Sequence, residues 1–400
     1  MPTFPIQSSL CRRRAAVTGG ALRVLMVAPS SVAGGSEALL NDLVLCGPEA
    51  GYVPSVLALE PGPLVDRLRA HDIPVACHGA GRLRDLRSQA RTDRWSDIQI
   101  RCQDPDVVYS NMAKAHVLAA LPASRAGVPS SWHQAGVPDP PHWLDRLASA
   151  LPAARVMAVS SAGAAAQAKV RPGPTVTLVS PGIDLTRFSG NNAIAARRRL
   201  GLPVGVPLVG IVGRLQEWKG QREFLQAAAM VADRHPAAKF LVIGGALLGW
   251  EGDYPTRLEH LARDLGLADR TVFTGHREDV HLWLSALDVA VNASHPEPFG
   301  LVIVEAMAAR CAVVAVAAGG PLDVIDHRQT GVLCATNRPS DLSAAIDFLL
   351  DDTATRTAIA EAGHRHVVSH FGADRMASDF ATMLRDCLSG GNRSARERRE

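Results

Sequence analysis

The feature that most constrains this chain is a local pattern repeated along it: a short run of consecutive apolar residues, a loop of small residues, then apolar residues at helical spacing. LRVLMVA at 22–28 is apolar on both of its faces, which suits a strand covered on both sides of a parallel sheet; the loop PSSVAGGS and the helical pattern EALLNDLVL follow it. The same reading places strands at 55–59, 74–77, 107–110, 129–132 and 156–160. A Pro- and Gly-rich stretch at 170–205, with the turn SPGID at 180–184, reads as a linker. The alternation then resumes, with strands at 207–212, 240–244, 272–274, 289–292, 312–316 and 331–334 and helices at 221–234, 254–265 and 280–287. Strands alternating with helices form parallel sheets through right-handed crossovers, so the expected fold class is α/β, with two Rossmann-like doubly wound domains. At 400 residues and 47% hydrophobic content the chain exceeds one compact core, and two domains imply a cleft.

Several function classes are excluded on spacing or charge. A formal net charge of +3 over this length gives no general attraction to nucleic acid, so any anion site is local. The nearest approach to GxGxxG, GAGRLR from Gly79, lacks its third glycine, and no GxxxxGK[ST] occurs. DPD at 104–106 directly precedes the strand VVYS and reads as a strand-entry turn, so no metal is expected. Seven widely spaced cysteines without a CxxC fit thiols in a reducing compartment, and a cytoplasmic protein is expected. No apolar run approaches the roughly 18 residues that span a bilayer. Arg12, Arg13 and Arg14 precede no apolar segment, so 1–20 is expected to be a disordered leader, and the polar residues 389–400 a disordered tail. The Arg-rich stretch 82–101, with Trp95, could touch an anionic membrane, but Asp85, Asp93 and Asp97 favour a solvated helix.

Two loops after strands of the second half carry chemistry. In EPFGLVIVE at 297–305, Glu297 precedes a helix, Gly300 opens it, and Glu305 lies on its early turns. Free N–H groups at Gly300 and Leu301, with about half a positive charge from the helix dipole, suit a pyrophosphate, and Glu305 could accept ribose hydroxyls. In GRLQEWKG at 213–220, Arg214 and Lys219 could together neutralise a diphosphate. Lys219 is notable because only four of the 42 basic residues are lysines. Taken singly, each of these four side chains reads more readily as a solvated loop or surface charge.

Together these segments resemble the retaining GT-B-fold glycosyltransferases of the large family with the E-x7-E motif, glycosyltransferase family 4 or "glycosyl transferases group 1". The resemblance covers about residues 21–388 and includes AGGSE at 33–37, VSPGID at 179–184, GRLQEWKG, FTGHRED at 273–279, EPFGLVIVE and AGGPLDVI at 318–325. It implies an N-terminal acceptor domain at 21–182, a C-terminal nucleotide-sugar donor domain at 183–372 facing it across the cleft, and a helix at 373–388 crossing back to the first domain. It implies further that Arg214 and Lys219 hold the donor diphosphate, Glu297 the transferred sugar and Glu305 the ribose. Phe299, Gly300 and Leu301 complete the donor contact, and the backbone around Arg277 meets the base. Gly34 and Gly35 correspond to a glycine loop facing the phosphates, and His133, one of 14 histidines, to a histidine near the sugar; a core or surface role for it stays open. Asp323 departs from the family's more frequent Glu. The implied function is metal-independent transfer from a nucleotide sugar, UDP-sugar favoured, to a small-molecule, glycan or lipid-linked acceptor, with peripheral membrane contact allowed. A nucleotide-sugar epimerase, a phosphorylase, or an inactive sugar-nucleotide binder on the same architecture are the alternatives.

Overall fold

The computed structural model describes residues 20–397 apart from 32–33, 82–84, 171–172, 191, 247–248 and 250, so the leader expected at 1–20 lies outside the described residues except for its last position. The chain divides into two compact units, one of residues 1–182 with 373–400 and one of residues 183–372.

The first unit is built on β1 (Leu22–Ala28), β2 (Tyr52–Ala58), β3 (Val75–Cys77), β4 (Val107–Ser110), β5 (Ser130–Gln134), β6 (Arg155–Ala158) and β7 (Thr175–Leu178), all parallel, in the order β3-β2-β1-β4-β5-β6-β7. Its core forms where Leu25 and Val27 of β1, Leu57 of β2 and Val108 of β4 meet Leu118 and Ala119 of the helix Met112–Arg125. β7 lies inside the stretch expected to be a linker. Its sequence TVTL carries no fully buried residue, because an edge strand has only β6 as a neighbour and needs no continuous apolar run. The same stretch also holds the helix Ala193–Leu200, capped by the Asn192 carboxamide oxygen on the Ile194 and Ala195 N–H groups.

The second unit is built on β8 (Leu208–Val212), β9 (Lys239–Ile243), β10 (Thr271–Phe273), β11 (Val289–Asn292), β12 (Ala312–Val316) and β13 (Val332–Cys334), again all parallel, in the order β10-β9-β8-β11-β12-β13. Val209, Ile211, Val291 and Val314 on the sheet pack with Phe224 and Leu225 of the helix Gln221–Arg234 and with Leu342 and Ile346 of the helix Pro339–Asp351. The chain enters this unit at Ile183 and leaves at Gly372 side by side, with the Ile183 N–H donating to the Phe371 carbonyl at 2.9 Å.

The final helix, Ala373–Glu397, packs within the first unit. Met376, Ala377, Phe380, Ala381, Leu384 and Cys387 recur at helical spacing and are all fully buried. Phe380 sits edge-on to Tyr52 and Tyr109, with ring centroids 5.6 and 4.7 Å away, and the Arg155 guanidinium reaches Asp386 at 3.4 Å. The helix continues past residue 388 into the segment expected to be an unstructured tail. Among the described residues no helix is long and apolar enough to cross a membrane.

Removing the aromatic ring in Phe380→Ala should cost about 3–5 kcal/mol, since it empties a site closed by two tyrosines. Chemical denaturation followed by a probe in the first unit checks this; a midpoint unchanged from wild type would show that the final helix contributes little there.

Candidate functional site

In a doubly wound sheet the loops after two adjacent strands part company where the strand order reverses, and ligands collect beyond the carboxyl ends at that point. In the second unit the reversal falls between β8 and β11, so the loops 213–220 and 293–300 flank it. They interlock. The His295 N–H donates to the Trp218 carbonyl at 3.3 Å, and Gly220, at φ +76°, lies so close to Ala293 that a Cβ there would stand 2.5 Å from the Ala293 carbonyl oxygen.

At this junction Lys219 Nζ donates to Glu297 Oε2 at 2.8 Å, with the two side chains 19% and 8% exposed. Asn292 Nδ2, from the end of β11, donates to the same oxygen at 3.2 Å. The ammonium also lies 4.0 Å from the ring centre of Trp218. The backbone of Glu297 is clamped as well: its N–H donates to the Ala318 carbonyl at 3.1 Å, and its carbonyl accepts from the Gly320 N–H at 2.8 Å. Gly319 allows that approach, since a Cβ at its φ of +85° would fall 2.2 Å from the Glu297 carbonyl oxygen. AGGP at 318–321 thus acts as the support of Glu297.

Three residues after Glu297, Gly300 at φ +97° opens the helix Leu301–Ala308, with no side chain capping it. Phe299 is buried against Phe371, with centroids 5.9 Å apart, and Leu301 is half-buried in the first turn. Glu305 is half-buried one turn into the helix. Arg214 shares the loop with Lys219 and pairs with no carboxylate among the described residues; its carbonyl accepts from the buried Gln221 side chain at 2.7 Å. The structure therefore brings Lys219 into contact with Glu297 and places Arg214, Phe299, Gly300, Leu301 and Glu305 on the same two loops and helix. Arg277 stands apart, after the edge strand β10, where its guanidinium forks onto Asp279 at 2.9 and 3.0 Å and lies over Trp283. The sequence reading missed Asn292 and the supporting role of Gly319 and Gly320. A polar residue closing the apolar run VAV of β11 was the one available signal for Asn292.

In the first unit the order reverses between β1 and β4. Gly34 caps the helix Gly35–Ala50 in extended backbone, which any residue adopts, and a Cβ there would meet only the mobile end of Glu37 at 2.6 Å. His133, on β5, is 1% exposed; its Nδ1 lies 3.0 Å from Asn111 Oδ1, and burial pushes its pKa down to about 4. His116 stacks on Trp132 and is buried likewise, with its pKa pushed down to about 3. Among the described residues no group of three His, Cys, Asp or Glu side chains could hold a metal ion.

These two histidines set an acid limb. Below the ordinary value of 6.5 the unfolded chain takes up protons at both positions while the folded chain does not, so stability falls as pH drops from 6.5 towards 4. His116→Phe should shallow that slope by one proton's worth between those limits. Unfolding midpoints against pH for both proteins give the comparison, and parallel curves would contradict it.

Residues 193–366 match the family described as "Glycosyl transferases group 1". A D-inositol 3-phosphate glycosyltransferase from Corynebacterium kroppenstedtii is 35% identical over 222 residues, 54% of this chain and 49% of the relative, so the chain spans about half the length of the curated relatives it matches. Anabaena HepE, solved in complex with UDP-glucose, superposes with a TM-score of 0.80 at 27% identity over 91% of this chain and 99% of HepE. A sucrose-phosphate synthase from Thermosynechococcus elongatus, with a TM-score of 0.79 over 92% of this chain and 99% of its own at 20% identity, shares the fold. The fold is GT-B.

Proposed function

We propose, from the match of residues 193–366 to the glycosyl transferases group 1 family, that the chain moves a sugar from a nucleotide diphosphate sugar to an acceptor hydroxyl with retention at the anomeric carbon. The observation that carries this reading is the buried Lys219–Glu297 pair at the strand reversal, beside a helix start that no side chain caps. UDP-glucose bound to HepE supports a UDP-sugar as donor. The acceptor is a small molecule, a glycan or a lipid-linked group taken by residues 21–182, and the reaction runs in the cytoplasm with at most peripheral membrane contact.

In this reading the donor diphosphate lies against the N–H groups of Gly300 and Leu301, with Phe299 alongside, and Lys219 and Arg214 neutralise it. By the resemblance, Gly34 and Gly35 correspond to the glycine loop for the phosphates and His133 to the histidine for the sugar. Glu305 accepts from the ribose hydroxyls, and backbone near Arg277 meets the base. Glu297, oriented by Lys219, Asn292 and its clamped backbone, accepts from a hydroxyl of the sugar. The bond from the anomeric carbon to the phosphate oxygen breaks and its electron pair leaves with the phosphate. The acceptor oxygen attacks from the same face, and its proton passes to that phosphate oxygen. The protein's work is mostly positioning and electrostatic stabilisation of the leaving group.

The test is release of free nucleotide in equal amount with glycosylated acceptor; nucleotide release without glycoside, or interconversion of sugars, would point to an epimerase or hydrolase instead. Because two cations and a helix start neutralise the diphosphate, turnover should survive excess EDTA. Abolition by EDTA and recovery on magnesium would show this assignment to be wrong. The two glutamates should fail differently. Glu305→Ala removes charge-assisted hydrogen bonds and should weaken donor and free nucleotide alike by about 1.5–3 kcal/mol. Glu297→Gln should keep nucleotide affinity and lose on the order of a hundredfold in kcat. Calorimetry beside steady-state kinetics separates them, and equal loss of nucleotide affinity in both variants would refute the division of roles.

A further inference from the structure

At the amino ends of β11 and β12, the edge of the second unit's sheet opposite Glu297, the surface folds into a cavity of about 280 Å³ lined only by residues of that unit. Its lining residues Leu287, Ala309 and Ala360 are buried and apolar, while Asp288, Arg310, Arg356 and Glu361 bring charge to it. Asp288 Oδ2 accepts from Arg197 Nη2 at 2.7 Å and from the Leu208 N–H at 2.8 Å. Its Oδ1 faces Arg356 Nη2 at 3.9 Å, too far for a hydrogen bond. Arg310 pairs with Glu361, both side chains being about half exposed. Arg310 also follows the helix Leu301–Ala308 at φ +59°, the left-handed position after a helix that glycine takes most easily. Backbone preference alone would not place an arginine there.

The charges lining the cavity balance, two of each sign. An anion seated against Arg356 would meet the Asp288 carboxylate, and a cation seated against Asp288 would meet the Arg356 guanidinium. A hydroxyl suits the gap between them, since it donates to the carboxylate and accepts from the guanidinium at once. Sites for drug-sized ligands run to roughly 300–1,000 Å³, so this cavity has room for a single ring. We propose that it binds one neutral polyhydroxylated ring, a saccharide or cyclitol unit, and that its occupancy is coupled to the donor end of the unit. Two elements run from the cavity to that end. β11 begins immediately after Asp288 and closes with Asn292, which donates to Glu297. The helix Leu301–Ala308, about 12 Å long, starts at Gly300 and stops at the cavity, where the Ala309 N–H donates to the Glu305 carbonyl at 3.0 Å. A ring that displaces Asp288 or Ala309 moves the supports of both glutamates. The coupling rests on the donor reading given above; the cavity and its class of ligand do not.

The experiment uses the full chain carrying ¹³C-methyl alanine, with Ala309 and Ala360 assigned from the Ala309→Gly and Ala360→Gly spectra. Methyl α-glucoside, methyl α-mannoside, N-acetylglucosamine and myo-inositol are titrated in, with inorganic phosphate as the charged control. At least one ring should shift both methyls to saturation, and phosphate should not. Thr357→Trp adds bulk at an exposed lining position, and Arg310→Gly removes the guanidinium while suiting the backbone. Each should raise the dissociation constant of the ring about tenfold, the scale of one net hydrogen bond or more. If all four rings leave both methyls unmoved, if phosphate shifts them instead, or if Thr357→Trp binds the ring as wild type does, the site is overturned. UDP is then titrated by calorimetry with and without saturating ring. Its affinity should change about fivefold or more, the ring's affinity should change by the same factor when UDP is bound, and both changes should vanish in Thr357→Trp. Affinities that ignore one another overturn the coupling. If UDP does not bind while the ring does, the donor reading and the coupling fail together and the cavity's ligand stands.

Discussion

The second unit's functional edge depends on keeping one carboxylate charged where little water reaches it. An ion taken from water loses several kcal/mol of solvation, recovered only through good geometry with an opposite charge and further hydrogen bonds. Glu297 has both, from Lys219 and Asn292 on one oxygen. That requirement explains much of the local chain path. Lys219 can reach only because Gly220 lets its loop nest against Ala293, and Glu297 stays in place only because Gly319 and Gly320 admit its backbone. Three separated sequence motifs are thus parts of one electrostatic object.

The first unit uses the equivalent reversal of strand order for a different kind of object. Beside the Lys114–Glu60 ion pair, three of its polar groups there are neutral: Asn111, the Ser36 carbonyl it donates to and a histidine whose charge burial suppresses. A neutral network in a low-dielectric site needs no counter-charge, but every member must be satisfied or have a use. The orientation of each dipole is then dictated by the one group that cannot reverse, the Ser36 carbonyl. Where the second unit fixes a charge, the first fixes a hydrogen-bond direction.

How much of this could be read from the sequence follows from what each feature depends on. Strands such as LRVLMVA and AVVAV were legible because they are covered on both faces and so must be apolar throughout. β7 was not, because an edge strand with half-exposed residues carries no such run and its Pro- and Gly-rich flanks read as a linker. The final helix was legible through its resemblance to the family's C-terminal helix, whereas the polar composition of 389–400 argued against its extension to Glu397. Glu297 and Lys219 were legible because their spacing to glycines and helix starts is local. Asn292 and Asn111 were not, since each resembles an ordinary strand-end or helix-cap residue until the distant partner is in view.

The same logic explains the uneven likeness to other proteins. The family match covers residues 193–366, within the second unit, and leaves the first unit outside it. In the proposed reaction every donor shares a diphosphate and a ribose, so the groups that meet them face the same charge and shape whatever sugar is carried. Acceptors differ in size, charge and polarity, and the loops that meet them have no common chemistry to satisfy. The buried pair and the uncapped helix start answer the shared part of the substrate and are recognisable in sequence. The neutral network around Asn111 and His133 lies outside that match, and its direction is set within this chain, by a carbonyl that can only accept.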